Sequence, residues 1–373
     1  MSDARSLQLM PEKFFDENSI SYLSALREAF IEKRLSGTSH SISTYEEQLK
    51  GWFGTKYALP VASGSAAILL ALHATGIRGG DKIMVSALAP IPTLLPILLL
   101  GAEPLFVDVT LGSFQFDMED LKKAMGKKPK ALLAVALWGY PVLTDDLVNL
   151  LADNEIPLIE DSAHAHGSVE LGKLSGTNGK VGCFSTHDNK LLSTGEGGFA
   201  LTNCELLYES MRNYSHLGYC KGVTMGFNFK LGAPQALLGK DRLTRLNSQI
   251  SARETVAKKI VAGLSLPHTV TQINFEPNSR PNFYNLGFFI NAERERAARL
   301  ISYCHRNGLV SNTIKYNIKP SYTYPLFSGF FRPCINAEIM AYNITSIPCS
   351  PDLTDMQIGA ISTLFNEAVT KFV

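Results

Sequence analysis

Between Leu158 and Leu201 the chain sets reactive side chains among apolar ones: LIEDSAHAHG, then VGCFSTHDNKLLSTGEGGFAL. Ile156 to Ile159 reads as a short buried strand, so Glu160 and Asp161 fall where a parallel strand ends, the usual place for ligands in open α/β sheets. An acid there faces a crevice, caps a helix or completes a structural ion pair. Lys190 lies between the apolar segments containing Phe184 and Leu191-Leu192. Solvated, it is an ordinary lysine; buried, its pKa falls, and an amine so lowered is the nucleophile that Schiff-base chemistry requires. The glycines Gly195, Gly197 and Gly198 then turn the chain into another apolar run. Upstream, strand-like Tyr57 to Val61 runs through Ala62-Ser63-Gly64-Ser65-Ala66-Ala67 into the apolar helix Ile68 to His73. A strand, a small-residue turn and a helix N-terminus together bind phosphate through free N–H groups and the helix dipole, although small residues also serve tight packing.

The elements that must position these groups follow from periodicity. Ile20 to Lys33 reads as a helix with Leu23, Leu26, Phe30 and Ile31 on one face, and Ser43-Thr-Tyr-Glu46 as a capping box opening a second helix. Lys82 to Val85, Pro104 to Val107, Ala131 to Ala136 and Pro157 to Ile159 read as strands, separated by helices near Pro92 to Leu100, Met118 to Met125 and Asp145 to Ala152. Such alternation predicts an α/β domain built on a mainly parallel sheet with helices on both faces. Cys204 to His216 reads as a helix, and a long helical stretch from about Ala233 to Leu264 leads into the C-terminal region. There Phe283 to Ile290 reads as a strand, Glu293 to Arg306 as an amphipathic helix, and Thr354 to Phe372 as a last helix with Thr354-Asp-Met-Gln357 as its capping box. The division predicted is a large domain over 20–245 and a smaller α+β domain over 246–373, with the packing of 1–19 left open.

With 373 residues, 45% of them hydrophobic, the chain can bury a sizeable core, and a formal charge of +1 points to neither nucleic acid nor membrane as partner. Six cysteines without CxxC pairs predict reduced thiols in the cytoplasm. The start, MSDARSLQLMPEKFF, lacks an apolar core of signal-peptide length, and the longest apolar run, Leu94 to Ala102, is far short of the roughly 20 residues that span a bilayer. Gly179-Lys180 lacks the flanking residues of a nucleotide P-loop, and His164 with His166 finds no third ligand at a useful spacing, so no metal site is predicted.

Taken together, Glu160-Asp161-Ser-Ala-His164-Ala-His166-Gly167, Phe184-Ser185 followed by Lys190, and Gly195-Glu196-Gly197-Gly198 resemble the DegT-type sugar aminotransferase family, pyridoxal-phosphate (PLP) enzymes of the aspartate aminotransferase fold, fold type I. Gly64-Ser65-Ala66 matches that family's S-G-T-A turn, Gly226-Phe227-Asn228-Phe229-Lys230 with Gln235 its G-Y-N-Y/F-R segment, and Ser346 to Asp355 its closing S-x-P segment. The resemblance implies a mainly parallel, seven-stranded-type sheet flanked by helices, with a smaller C-terminal α+β domain. It gives Lys190 the Schiff base with PLP and the proton transfer at the substrate carbon, Asp161 the pyridine nitrogen, and His164 the ring's 3-oxygen. Gly64, Ser65 and Ser185 would hold the phosphate, together with Asn228 reaching in from a neighbouring subunit, which implies a homodimer with shared active sites. Pro90 stands where the family carries an aromatic residue that stacks on the ring.

The activity so implied is transfer of an amino group from glutamate or glutamine to a keto sugar, nucleotide-linked, or a related ketone. A subgroup with histidine in place of the lysine dehydrates sugars, and Lys190 argues against it. Two other readings stay open: a PLP-dependent dehydratase or lyase that keeps the lysine, and a non-catalytic regulator or partner protein in which Pro90 marks a degraded ring site.

Overall fold

The computed structural model describes residues 20–31 and 33–373, so the N-terminal segment 1–19 lies outside the described residues. The strands are β1 (Tyr57–Val61), β2 (Lys82–Ser86), β3 (Glu103–Val107), β4 (Ala131–Val135), β5 (Leu158–Asp161), β6 (Val169–Glu170), β7 (Lys173–Leu174), β8 (Val181–Ser185), β9 (Gly198–Thr202), β10 (Val270–Gln272), β11 (Asn285–Ile290) and β12 (Ile344–Pro348). The helices are α1 (Ile20–Ile31), α2 (His40–Phe53), α3 (Gly64–Ala74), α4 (Ile91–Leu99), α5 (Met118–Met125), α6 (Asp145–Asp153), α7 (Glu205–Ser215), α8 (Ala233–Leu243), α9 (Leu246–Ala262), α10 (Arg294–Arg306), α11 (Asn312–Lys315), α12 (Ile335–Asn343) and α13 (Asp355–Phe372).

Seven strands form one sheet in the order β1-β9-β8-β5-β4-β2-β3. β3, β2, β4, β5 and β8 run parallel, and β9 is antiparallel to both β8 and β1. The fold is therefore the α/β arrangement anticipated, a mostly parallel sheet flanked by helices. Strand β4, ALLAV, in the interior of the sheet, is buried at every position, the continuous apolar run that a sheet covered on both faces demands. The C-terminal ends of β2, β4, β5 and β8 point the same way, so whatever follows each strand gathers at one edge.

Two element readings need correction. α2 begins at His40 with Ser39 at its N-cap, a turn earlier than the Ser43 box. Ser43 is already helical there, and its hydroxyl donates back to His40 O (2.9 Å) instead of capping. The long C-terminal helix is two, broken at Thr244-Arg245, where the Thr244 hydroxyl donates to Asp241 O (2.6 Å) and competes with the helical ladder. On α1 the predicted apolar residues Leu23, Phe30 and Ile31 are exposed in the single chain.

The largest core wraps the sheet and also takes in Tyr322, Phe327, Cys334 and Met340 from the C-terminal half. A second core packs the antiparallel β10-β11-β12 sheet against α9, α10 and α13 through Phe288, Leu300, Ile361 and Phe365. Among the described residues no helix is long and apolar enough to cross a membrane.

The capping box on α13 is present as read: Thr354 N donates to Gln357 Oε1 (2.9 Å), and Thr354 Oγ1 accepts from Gln357 N (3.3 Å). Thr354→Ala should cost about 1 kcal/mol, read as a lower urea midpoint at unchanged slope; an unmoved midpoint would show that the box contributes nothing.

Candidate active site

The gathered strand ends open onto a cavity of about 560 Å³. Asp161 is the last residue of β5, paired in register with Val135 of β4 and Cys183 of β8. It is buried, and its two oxygens are each held: Oδ2 accepts from Thr93 Oγ1 (2.5 Å) and Oδ1 from Ala163 N (3.1 Å). Burial raises its carboxyl above the ordinary range, while these bonds and the Lys190 ammonium pull the other way.

Lys190 sits in the loop between β8 and β9. The loop is closed by Thr186 N to Gly197 O (2.9 Å), Thr194 N to Thr186 O (2.7 Å), Asp188 N to Gly195 O (3.0 Å) and a hydroxyl contact between Thr186 and Thr194 (2.6 Å). Gly195 (φ 85°) and Gly197 (φ 149°) take backbone conformations that side chains resist, which is the local reason for the glycine turn. The lysine Nζ lies 5.5 Å from the centroid of the Tyr284 ring. Burial lowers its pKa to about 8, against the opposing pull of Asp161.

His164 stacks on Tyr284, with centroids 4.6 Å apart and planes within 9°, and its Nδ1 accepts from Trp138 N (3.3 Å). Burial, with the Lys190 charge, holds its pKa well below the usual histidine value. A neutral ring that accepts at Nδ1 carries its proton on Nε2 and is a donor there. His166 does not line the cavity: it is fully buried against Phe184 and Phe199, and neither ring nitrogen has a partner among the described residues.

On the opposite wall α3 begins at Gly64, with Ser63 Oγ accepting from Ala66 N (3.1 Å) as N-cap. A Cβ on Gly64 would lie 2.8 Å from Ser185 Cβ, so the helix start and the end of β8 meet only because residue 64 is glycine. The first-turn N–H groups of Gly64 and Ser65 have no intrahelical acceptor and form an anion cradle beside the Ser185 hydroxyl. The Ser65 hydroxyl donates to Pro92 O (3.1 Å).

Of the residues singled out in the sequence, Gly64, Ser65, Pro90, Asp161, His164, Ser185 and Lys190 all line this cavity. Asn228 does not: it is exposed, its Oδ1 accepting from Lys230 Nζ (2.5 Å), among the exposed side chains of Val223, Met225 and Phe227. Sequence reasoning missed Thr93, Trp138 and Tyr284, and the cavity-lining residues Asn312, Tyr316, Ile318, Lys319 and Tyr324. A hydroxyl inside the apolar run IPTLLPILL was the one available signal for Thr93.

A model of the DegT/DnrJ/EryC1/StrS aminotransferase family matches residues 21–365. The chain belongs to this family. The family is PLP-dependent and takes its name from aminotransferases. Within it, GDP-perosamine synthase of Escherichia coli O157:H7 is 27% identical over 339 residues, covering 89% of this chain and 91% of that one. A dTDP-4-dehydro-2,6-dideoxy-D-glucose 3-dehydratase of Saccharopolyspora spinosa is 28% identical over 308 residues, covering 72% and 66%. The crystal structure of S. venezuelae DesV in complex with a ketimine intermediate superposes with a TM-score of 0.86 at 26% identity, covering 96% of this chain and 99% of that one.

The lysine should be titratable directly. In cofactor-free protein, acylation of Lys190 by an amine-reactive reagent, followed by peptide mass spectrometry, should rise with pH about a midpoint near 8. Asp161→Asn removes the charge that favours the ammonium, so the midpoint should fall; a rise would contradict the assigned electrostatics.

Proposed function

We propose that this chain is an aminotransferase that uses PLP to move an amino group from glutamate or glutamine to a keto sugar, nucleotide-linked, or a related ketone. The observation that carries the reading is the pairing of Asp161 and Lys190 in one cavity with the anion cradle of α3. A buried acid, a lysine of lowered pKa and a phosphate-sized donor set fit PLP group for group. When bound, PLP supplies a protonated pyridine ring that accepts the electron pair left on a substrate carbon.

The chain's own residues have separate tasks. Lys190, partly deprotonated near neutral pH, would hold the cofactor as the nucleophilic amine and, once displaced by the incoming amine, would serve as the base that takes and returns the proton at the substrate carbon. Asp161 would keep the proton on the pyridine nitrogen; the bonds it accepts from Thr93 and Ala163 fix its orientation. His164 would offer its Nε2 proton to the ring's 3-oxygen. The Gly64 and Ser65 N–H groups and the Ser185 hydroxyl hold the phosphate, where charge-assisted bonds are the strong ones. Asn228 serves the site of a second copy in a homodimer, a reading supported by its exposure amid Leu217, Tyr219, Val223, Met225 and Phe227, all exposed in the single chain. With Pro90 on the wall the ring is met there by CH groups and not by an aromatic face. Scattered free cysteines agree with a reducing, cytoplasmic setting.

Dehydration is the second reading, favoured by the dehydratase among the relatives. One experiment separates the three. The PLP-loaded protein should have a visible absorption band that Lys190→Ala lacks, that glutamate or glutamine bleaches with release of one 2-oxo acid, and that a nucleotide-linked keto sugar restores. A band indifferent to both donors, with dehydrated sugar appearing, would replace the transferase by a dehydratase. No band at any PLP concentration would leave a non-catalytic protein.

A further inference from the structure

Asn282 lies outside the cavity lining, is fully buried, and has both amide hydrogens and its amide oxygen hydrogen-bonded. Its Nδ2 donates to His164 O (2.8 Å) and to His166 O (3.1 Å). Its Oδ1 accepts from Tyr284 N (2.9 Å), and its backbone N–H donates to Ser168 Oγ (3.0 Å), which donates in turn to Gly139 O (2.7 Å). Three segments distant in sequence are thereby tied through one residue: the loop after β5 with His164 and the segment before β11 with Tyr284 by its side-chain amide, and the turn Trp138-Gly139 by its backbone N–H through Ser168.

The tie is tight. A Cβ on Gly139 would fall 2.0 Å from Asn282 Oδ1, so the neighbouring backbone has no room for a longer or displaced side chain at 282. Trp138, whose N–H holds His164 Nδ1, is itself in a left-handed conformation (φ 57°, ψ 17°), which costs a bulky residue energy and persists only where the surroundings enforce it. His164 is thus fixed on two sides, by Trp138 at its ring and by Asn282 at its carbonyl, and the Tyr284 ring stacked on it is fixed through its own N–H.

We propose that Asn282 is a positioning residue for the aminotransferase reaction, holding the His164–Tyr284 stack in place over Lys190. The inference rests on the function proposed above for this cavity, and its first readout does not. Asn282 does not line the cavity; it acts through the two rings that do. The titratable groups whose charge or neutrality is felt with that of Lys190 are Asp161, His164 and His166. None of them is altered by a neutral substitution at 282, so a changed Lys190 reports the packing above it.

Asn282→Leu keeps the branching and heavy-atom count of the side chain, adds no charge and removes the side chain's three bonds. In cofactor-free N282L, judged folded by far-ultraviolet circular dichroism, the midpoint for Lys190 acylation should rise from about 8 toward that of a solvated lysine. The near-ultraviolet dichroism of the aromatic residues should weaken. In the loaded enzyme kcat should fall by roughly 100-fold with KM for the amino donor changed far less, as expected of a misplacement near 1 Å. Asn282→Ser, which retains one donor, should fall between the two. An acylation profile and kcat equal to wild type in folded N282L would overturn the proposal. So would failure of both N282L and N282S to fold while Tyr284→Leu folds, since Asn282 would then serve the fold alone. If the loaded wild type has no PLP band, the function fails, yet the acylation midpoints still decide whether Asn282 positions the stack.

Discussion

Asp161, buried, and Lys190, half-buried, line one cavity, and the surrounding protein compensates for the desolvation of both. An ionised group buried alone costs several kcal/mol. Asp161 therefore needs the Thr93 hydroxyl and the Ala163 amide, and Lys190 needs Asp161. The requirement reaches outward into the fold. Thr93 is on the first turn of α4, so α4 must begin beside the end of β5, and β2, which delivers α4, must lie two strands from β5.

The strand that carries Asp161 divides its two acids between faces. Successive side chains of a strand point to opposite sides: Asp161 faces the cavity, while Glu160 turns into the loop 176–179 and accepts from Gly176 N (2.7 Å), Asn178 N (2.8 Å) and Gly179 N (2.5 Å). One acid anchors the loop that leads into β8, and β8 ends at Ser185, five residues before Lys190. Adjacent residues thus place both Asp161 and Lys190, one by direct attachment and one by fixing the next strand.

What could be read from sequence has a physical pattern. Fully buried strands such as ALLAV announce themselves, and polar groups that interrupt apolar runs, Asp161 and Lys190 among them, stand out by contrast. Ser43 misled because a good capping sequence also tolerates a helical position once tertiary packing has begun the helix earlier. Tyr284, Asn282 and the residues from Asn312 to Tyr324 were hidden for another reason. They reach the cavity, or in the case of Asn282 a residue that lines it, from far along the chain, Asn282 bonding His164 across 118 residues, and nothing local in their own segments records that approach. Trp138 was hidden too, since an aromatic residue at a strand end reads as core, which it also is.

Two helices begin at the cavity wall, and they are not equivalent. α3 opens with Gly64 and Ser65, which keep their amide protons free. α4 opens with Pro90 as N-cap and Pro92 one residue inside, neither with an N–H to give, and Thr93 N already donates to Pro90 O (3.0 Å). The cavity consequently has a sense of direction. A molecule with a phosphate at one end finds a welcome at α3 and a wall of ring methylenes at α4, so prolines at the second helix make one mode of entry out of two without any group that repels the other.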